Sequence, residues 1–415
     1  MTPSRASFLI NRNFALLTTG QAISSVGNFV YGTTLLVWIF ALTHSAAAIS
    51  GVLIAQYVPV FVLGPIAGVF VDRWNRRTIM IVSDVARAGI ALLPFIVPAS
   101  QRLPSIYISM FLLSSFSRFF TPARSGVLQV IVPEKQRPQA ASINQVTFTL
   151  AFIGGPAIAS PLYFALGPFI AVSINALSFL VSAMCLLLIH VPKEAVLPSL
   201  AARAQEDGGG VKRGGVRAVM HELLAGLRFV GRTRMLLMII ILSLIVMLGA
   251  GALNALDIVF VSQRLHASTA LYGPLTAASG GGTLIGAIVG GMIATRVGAR
   301  RVLTGSVILL GVGLVIYAFQ TNFLLALAII FIGSAPQGSI DVGFTPLMLS
   351  ATPQALMGRV QSVIETGTYA MSLISIALAG YVAQFVPVSI IFACCGLLIT
   401  LAGLFGWFAV PEPKS

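Results

Sequence analysis

Charged side chains are scarce in this sequence. Asp, Glu, Lys and Arg make up 9% of the 415 residues, whereas soluble globular domains carry about 25%. None of the four occurs between Asn13 and Val71, and the mean hydropathy of the chain is +0.97. This composition excludes a water-soluble fold, so we expect an integral membrane protein.

Residues that commonly build catalytic or cofactor sites are also few. The three cysteines stand in apolar runs, where a thiol behaves as a small hydrophobe, so we predict neither a disulfide nor a metal site. None of the four lysines has the Gly-Lys-Ser/Thr context that cradles nucleotide phosphates, which excludes an ATPase in this chain. We expect no cofactor and no enzymatic activity. The N-terminus lacks the basic and short apolar regions of a cleaved signal peptide, so the first apolar segment is expected to be retained.

Long uncharged runs divide the chain into twelve predicted membrane spans, at about 20 residues for each helical crossing. Backbone groups in lipid must be hydrogen-bonded within the protein, and the runs show no strand-like alternation, so the spans are predicted to be helices. The fold class is therefore all-α and integral to the membrane, with six-helix halves at 1–191 and 235–415 joined by a polar linker at 192–234. The predicted spans are 14–42, 48–71, 79–99, 104–122, 142–165, 168–190, 235–263, 271–294, 302–320, 323–349, 360–384 and 387–410.

Basic residues are distributed unevenly between the two sides of the predicted membrane. If the first span starts in the cytoplasm, all of the 25 lysines and arginines except Arg102 and Arg264 lie on or near the cytoplasmic side. This follows the positive-inside rule and explains the net charge of +14 without nucleic acid. We predict a cell inner-membrane protein with both termini and the linker in the cytoplasm. Residues 217–234 are predicted to form an interfacial amphipathic helix, with a plain connector as the alternative.

The two predicted halves share short patterns at a nearly constant offset. Phe120-Thr121-Pro122 recurs as Phe344-Thr345-Pro346, 224 residues later. Gly68-x-x-x-Asp72-Arg73-x-x-x-Arg77 recurs as Gly291-x-x-x-Thr295-Arg296-x-x-x-Arg300, at an offset of 223. Such matches in register are typical of transporters built from internal repeats.

Several of these motifs resemble a known family. The segment from Gly64 to Arg77, Gly-Pro-Ile-Ala-Gly-Val-Phe-Val-Asp-Arg-Trp-Asn-Arg-Arg, resembles the signature loop of the major facilitator superfamily. Gly155-Pro156-x-x-Ala159 is similar to the proline-glycine motif of its drug/proton antiporters. The run from Arg118 to Asn144 resembles the branch that contains macrolide-efflux proteins and the enterobactin exporter. The resemblance covers nearly the whole chain.

The resemblance implies a conformational latch on the cytoplasmic side, closed when the cavity faces outward. Gly64 and Gly68 have the spacing of small residues that lets two helices approach closely, and Asp72 is placed to meet the positive N-terminal end of another helix. The arginines can pair with acids such as Asp84. The alternatives are arginines that only fix topology and a simple structural pair of Asp84 with Arg87. The latch residues are Gly64, Gly68, Asp72, Arg73, Arg76, Arg77, Asp84, Arg87 and Arg118.

The resemblance also implies a substrate cavity lined by spans 1, 4, 7 and 10. Polar side chains on these spans are candidate contacts, and aromatic ones add apolar surface, although each has helix packing as its alternative role. Mostly apolar walls with no buried lysine favour a hydrophobic or amphipathic substrate. The polar candidates are Gln21, Asn28, Tyr31, Asn254 and Gln337, and the aromatic ones are Phe29, Trp38 and Phe260.

Three acidic residues interrupt apolar runs: Asp257, Asp341 and Glu365. An ionisable group within a span is a functional candidate, because it is costly to keep there. Burial favours the protonated form of a carboxyl group, so each acid is a candidate proton carrier. Interhelical salt bridges are the alternative, with Arg359 or Arg118 as partners for Glu365.

These features together predict a monomeric secondary transporter driven by the proton gradient. The leading hypothesis is export of a drug, antibiotic or siderophore-like molecule in exchange for protons. An importer or lipid translocator on the same fold, or a receptor that no longer transports, are the alternatives, since a fold does not determine function.

Overall fold

The computed structural model describes residues 10–71, 74–190 and 216–411. Within these ranges all regular structure is helical, with fourteen α-helices and four single-turn 3-10 helices. A helix satisfies its backbone hydrogen bonds internally, which is what apolar segments in lipid require. The α-helices are α1 Arg12–Thr43, α2 Ala46–Val71, α3 Arg76–Ala91, α4 Leu93–Ile96, α5 Arg102–Ile131, α6 Arg137–Leu188, α7 Val216–Arg232, α8 Arg234–Gln263, α9 Tyr272–Val297, α10 Ala299–Ala318, α11 Phe323–Gly333, α12 Ala335–Ala351, α13 Met357–Val382 and α14 Val388–Ala409.

The described helices account for twelve membrane spans, as the sequence predicted. Eleven continuous helical stretches are long and apolar enough to cross a membrane. One of them contains α6, whose 52 residues at 1.5 Å rise would extend about 78 Å, more than twice the roughly 30 Å of a hydrocarbon core. The helix breaks at Gly167, where φ is 79°, a conformation that glycine adopts without steric cost. α6 therefore provides two spans, divided between the predicted spans 142–165 and 168–190.

Some predicted spans differ from the helices in their bounds. The predicted end at residue 122 is wrong as a helix end, because α5 continues through Pro122 to Ile131. Arg118 and Arg124 make this stretch more polar, but charged side chains do not interrupt the backbone hydrogen bonds of a helix. The predicted span 323–349 is divided at Ser334 into α11 and α12, two residues before Pro336, which lacks a backbone donor.

The chain divides into two compact units. The first comprises Met1–Leu35, Val58–Gly155 and Leu162–Val216, and the second comprises Leu36–Tyr57, Pro156–Pro161 and Arg217–Ser415. In the first unit, α3 packs against α5, and its core includes Phe14, Met80 and Phe120. Lipid is as apolar as these side chains, so the helices gain little from hydrophobic burial. Their association depends instead on close van der Waals packing between side chains.

The second unit is built on three helix pairs: α10 with α14, α9 with α12, and α8 with α13. Gly282, Gly286 and Gly290 follow one row of α9, and a Cβ at any of them would overlap atoms of Phe331, Ala335 or Ser339. The hydroxyl of Ser339 donates to the carbonyl of Gly286 at 2.7 Å. Small residues thus allow the close backbone approach that membrane helices use in place of hydrophobic association.

The internal repeat has matching local structure in the two halves of the sequence. A helix with an internal proline occurs in both, with Pro122 in α5 and Pro346 in α12. Each of these helices is followed by a proline that caps a single 3-10 turn, Pro133 in one case and Pro353 in the other. His44 and His266, which follow α1 and α8, both have a φ of 49°. The repeat is therefore structural as well as sequential.

Candidate functional site

Asp257 in α8 has one hydrogen-bond partner among the described residues, and that partner is uncharged. The hydroxyl of Tyr317 in α10 donates to its Oδ1 at 2.8 Å. Asp257 is partly buried, and no described lysine or arginine forms an ion pair with it. The charge of this carboxylate is therefore stabilised by a dipole and not by a cation.

Aromatic packing fixes the position of the Tyr317 ring. Tyr317 is 1% exposed, with its ring centroid 4.7 Å from that of Phe260 and 6.2 Å from that of Phe392. Phe260 lies one turn beyond Asp257 on α8, so the same two helices position the acid, its donor and the packing ring. Phe260, a predicted aromatic contact of the substrate, is fully buried here and packs Tyr317.

A cavity of about 50 Å³ lies beside this group, between α8, α10, α11, α12 and α14. Most of its lining is apolar, and its polar side chains are Tyr317, Ser334 and Gln337. The hydroxyls of Ser334 and Ser279 are 2.8 Å apart. Since one buried water needs roughly 10–15 Å³, the cavity has room for a few waters or a small apolar group. Gln337 is the predicted cavity residue that lines it.

A second buried polar cluster occupies the interior of the first unit. Arg87 donates to the carboxylate of Asp84 in a buried salt bridge, with the two side chains 4% and 0% exposed. The guanidinium carbon of Arg87 lies 4.5 Å from the ring centroids of both Phe120 and Phe179. Ser117 accepts a further hydrogen bond from Arg87 at 3.4 Å. The expectation that Asp84 pairs with the loop arginines is therefore wrong for Arg77, because Asp84 pairs with Arg87 inside the bundle.

Arg77 binds backbone carbonyls at the end of α6. Its Nε donates to Leu186 O at 2.9 Å and its Nη2 to Leu187 O at 2.7 Å. The repeat-related Arg300 donates to Trp407 O at 2.9 Å, in the last turn of α14. A cation near the C-terminus of a helix stabilises the exposed carbonyls of its last turn. Arg77 and Arg300 are related by the repeat offset of 223 residues, and both bind carbonyls at the end of a helix. The offset was visible in the sequence, but this shared capping role was not predicted from it.

The other residues of the predicted latch are only partly described. Asp72 and Arg73 lie outside the described residues, as does the side-chain environment of Gly68 in α2. A Cβ at Gly64 would have no atom of a described residue within 4 Å, so the described part of the chain shows no close helix approach at this position. Arg76 packs against Gly126, and Arg118 is partly buried in α5.

The antiporter-like motif, Gly155, Pro156 and Ala159, lies where α1 packs closely against α6. A Cβ at Gly155 would overlap the Cβ of Phe29 within the first unit. Phe29 also packs edge-on against Phe148 and Phe152, with centroids 5.6 and 5.4 Å away. Pro156 and Ala159 are buried. Within the second unit, Gly273 N donates to Ser160 Oγ at 2.9 Å.

The remaining predicted cavity residues have different environments. Tyr31 and Trp38 are buried packing residues, 2% and 4% exposed, whereas Asn28 and Asn254 are exposed. Gln21 donates to Ser182 Oγ at 3.4 Å.

Asp341 and Glu365 are both exposed, and neither shares the environment of Asp257. Gln361 donates to Glu365 at 2.9 Å, so Glu365 is hydrogen-bonded within its own helix. It forms no ion pair with Arg359 or Arg118.

Twelve spans with an internal repeat and isolated polar groups inside apolar bundles define a polytopic transporter fold, and solved structures share it. The nucleoside transporter NupG superposes with a TM-score of 0.72 at 13% identity, covering 96% of this chain and 98% of that one. A bacterial homologue of the iron transporter ferroportin, in an inward-facing state, gives a TM-score of 0.72 at 13% identity, with 96% and 99% covered. At these identities the likeness establishes the fold.

The chain belongs to the transmembrane secretion effector family of the major facilitator superfamily, whose sequence model matches residues 4–415. YfiS, an uncharacterised MFS-type transporter of Bacillus subtilis (strain 168), is 28% identical over 410 residues, 96% of this chain and 93% of YfiS. Macrolide efflux protein A of Streptococcus pyogenes is 26% identical, with 73% of this chain and 72% of that protein covered. The multidrug efflux pump Tap of Mycolicibacterium fortuitum is 26% identical, with 98% and 97% covered.

The family confirms the predicted superfamily and its macrolide-efflux branch. The chain is a multi-pass membrane transporter with a small-molecule substrate, and not an enzyme, as the sequence predicted.

Proposed function

We propose that this transporter exports hydrophobic or amphipathic small molecules in exchange for protons, and that Asp257 carries the proton. The names of macrolide efflux protein A and the multidrug efflux pump Tap support export, and the mostly apolar lining of the cavity beside Asp257 supports a hydrophobic or amphipathic substrate. In this proposal the protein works as a monomer in the cell inner membrane, with both termini in the cytoplasm. Two halves, 1–191 and 235–415, alternate access to the substrate, and the segment 64–77 contributes a latch.

The contrast between two acids inside the bundles carries the proposal. Protonation of Asp84 would leave the buried charge of Arg87 without its partner, which is strongly unfavourable in a low-dielectric interior. Asp257 has only the neutral hydroxyl of Tyr317 as its partner, so its protonation leaves no charge uncompensated. Asp257 can therefore cycle between its protonated and ionised forms, whereas Asp84 is held ionised.

Partial exposure completes the requirement for a proton carrier. A carboxyl group that exchanges protons needs contact with water in at least one state, and Asp257 is partly buried rather than sealed. A cationic or polar substrate group arriving near it would favour the ionised form and release the proton. Release on substrate binding is the step that links export to the gradient.

The test is transport into inverted vesicles with an acidic lumen, using hydrophobic cations, macrolides and siderophores as candidate substrates. Asp257→Asn should abolish gradient-driven accumulation while equilibrium exchange of substrate persists, because the neutral amide mimics a permanently protonated acid. Glu134→Gln is the matched control, since Glu134 is an exposed acid in the single 3-10 turn before α6 and is not among the candidate proton carriers. Gradient-driven accumulation by Asp257→Asn at the wild-type rate would contradict the proposal. Substrate movement out of these vesicles, in the direction of import, would contradict export.

A further inference from the structure

The amphipathic helix α7 has one face packed against the rest of its unit. A Cβ at Gly226 would lie 2.8 Å from the carbonyl oxygen of Arg359 and 2.9 Å from Val363, both on α13. Val230, one turn later on the same face, is 4% exposed. These contacts fix the rotation of α7, and with it the direction in which its other face points.

The exposed side of α7 combines leucines with arginines. Leu224 and Leu227 are 56% and 47% exposed, and Arg228 and Arg232 are exposed as well. Leu224, Arg228 and Arg232 are four residues apart and follow one row of the helix, with Leu227 in the adjacent row. Neither arginine forms a hydrogen bond or ion pair with a described residue.

The helix α7 directly precedes a membrane span. A single residue, Thr233, separates the end of α7 at Arg232 from the start of α8 at Arg234, and α8 is a membrane span with a mean hydropathy of 2.8. Since Gly226 of α7 also packs on the first two turns of α13, the exposed leucines and arginines lie beside the ends of two membrane spans.

We propose that Leu224, Leu227, Arg228 and Arg232 form a binding face for anionic phospholipid headgroups, which we name the α7 lipid face. Guanidinium groups bind phosphate oxygens with two parallel hydrogen bonds, and apolar side chains beside them enter the acyl boundary. Charge complementarity selects an anionic headgroup over a zwitterionic one. This inference concerns how the protein meets its bilayer, and it does not depend on the substrate or the direction of transport.

The test uses a single labelled cysteine on this face. Cys185, Cys394 and Cys395 are replaced by alanine, Leu227→Cys is labelled with an environment-sensitive fluorophore, and the full chain is reconstituted in phosphatidylcholine with or without phosphatidylglycerol. Phosphatidylglycerol should protect the label from an aqueous quencher. Each arginine should contribute about fivefold to the equilibrium between protected and accessible label, so the lipid dependence should disappear in the double variant Arg228→Gln/Arg232→Gln.

Arg301→Gln is the matched control, because Arg301 is an exposed arginine at the start of α10 and should leave the lipid dependence intact. High salt should weaken protection, since it screens charges at a surface. Equal protection in the two lipid mixtures, or protection that is unchanged in the double variant, would overturn the proposal. Protection already complete in detergent would assign the face to another segment of this chain and would overturn it too.

Discussion

Asp84→Asn is expected to lower the free energy of unfolding by about 3–5 kcal/mol, because it leaves the buried Arg87 without its counter-charge. Arg87 is 4% exposed and cannot recover full hydration without opening the first unit. Its stacking on Phe120 and Phe179 persists in the variant and can retain about 2 kcal/mol of cation–π attraction. These contacts place the expected loss toward the lower end of the range.

Removing both charges should cost much less than removing one. The double variant Asp84→Leu/Arg87→Met replaces a buried ion pair by apolar side chains, a change that is often neutral or stabilising by about 1–4 kcal/mol. The expected signature is therefore a double variant more stable than Asp84→Asn. Glu134→Gln, at an exposed position in the turn before α6, is the control and should change stability by less than about 0.5 kcal/mol.

The assay is unfolding in mixed micelles of increasing denaturing-detergent content, followed by circular dichroism of helix content. If Asp84→Asn unfolds within about 0.5 kcal/mol of wild type, Arg87 has access to water and the pair is not buried. That result would also remove the contrast between Asp84 and Asp257 on which the choice of proton carrier rests.

Three further substitutions test single contacts. Tyr317→Phe removes the hydrogen bond that Asp257 accepts at 2.8 Å, worth about 1.5 kcal/mol when the acceptor is charged, so gradient-driven efflux should be slower than in wild type. Wild-type efflux in this variant would contradict a role for the contact. Gly155→Ala should destabilise the protein by about 1–3 kcal/mol through overpacking against Phe29. Gly154→Ala is the control, because a Cβ there meets nothing within 4 Å; equal losses of stability in the two variants would refute the close packing of Gly155 on Phe29. Arg77→Gln should speed hydrogen exchange at the end of α6, and unchanged exchange there would argue against the capping role.

Physical constraints along the chain made the fold predictable from the sequence. A lipid-embedded backbone must form helices, so uncharged runs identify spans without knowledge of tertiary contacts. The division at Gly167 was predictable because no single helix of that length fits a bilayer. Helix ends were less predictable. In α5, Arg118 and Arg124 indicated the end of a membrane span, but the helix continues past both residues to Ile131.

The polar contacts inside the bundles were not predictable, because they join residues far apart in the chain. The sequence singled out Asp257 as a costly charge in a span, but nothing in its neighbourhood pointed to Tyr317, which lies 60 residues away. The close spacing of Asp84 and Arg87 suggested a pair, whereas the stacking of Arg87 between two rings depends on the packing of three helices. Side-chain partners across helices require the fold itself.

The central claim is that Asp257 releases its proton when substrate binds. The most direct measurement is a pH change in a weakly buffered solution of the detergent-solubilised transporter. A substrate identified in the vesicle assay is added, and the protons released on binding are counted. Wild type should release a proton on binding, and Asp257→Asn should bind the same substrate without release. Equal proton release from the two proteins would contradict the claim, because the proton would then come from another group.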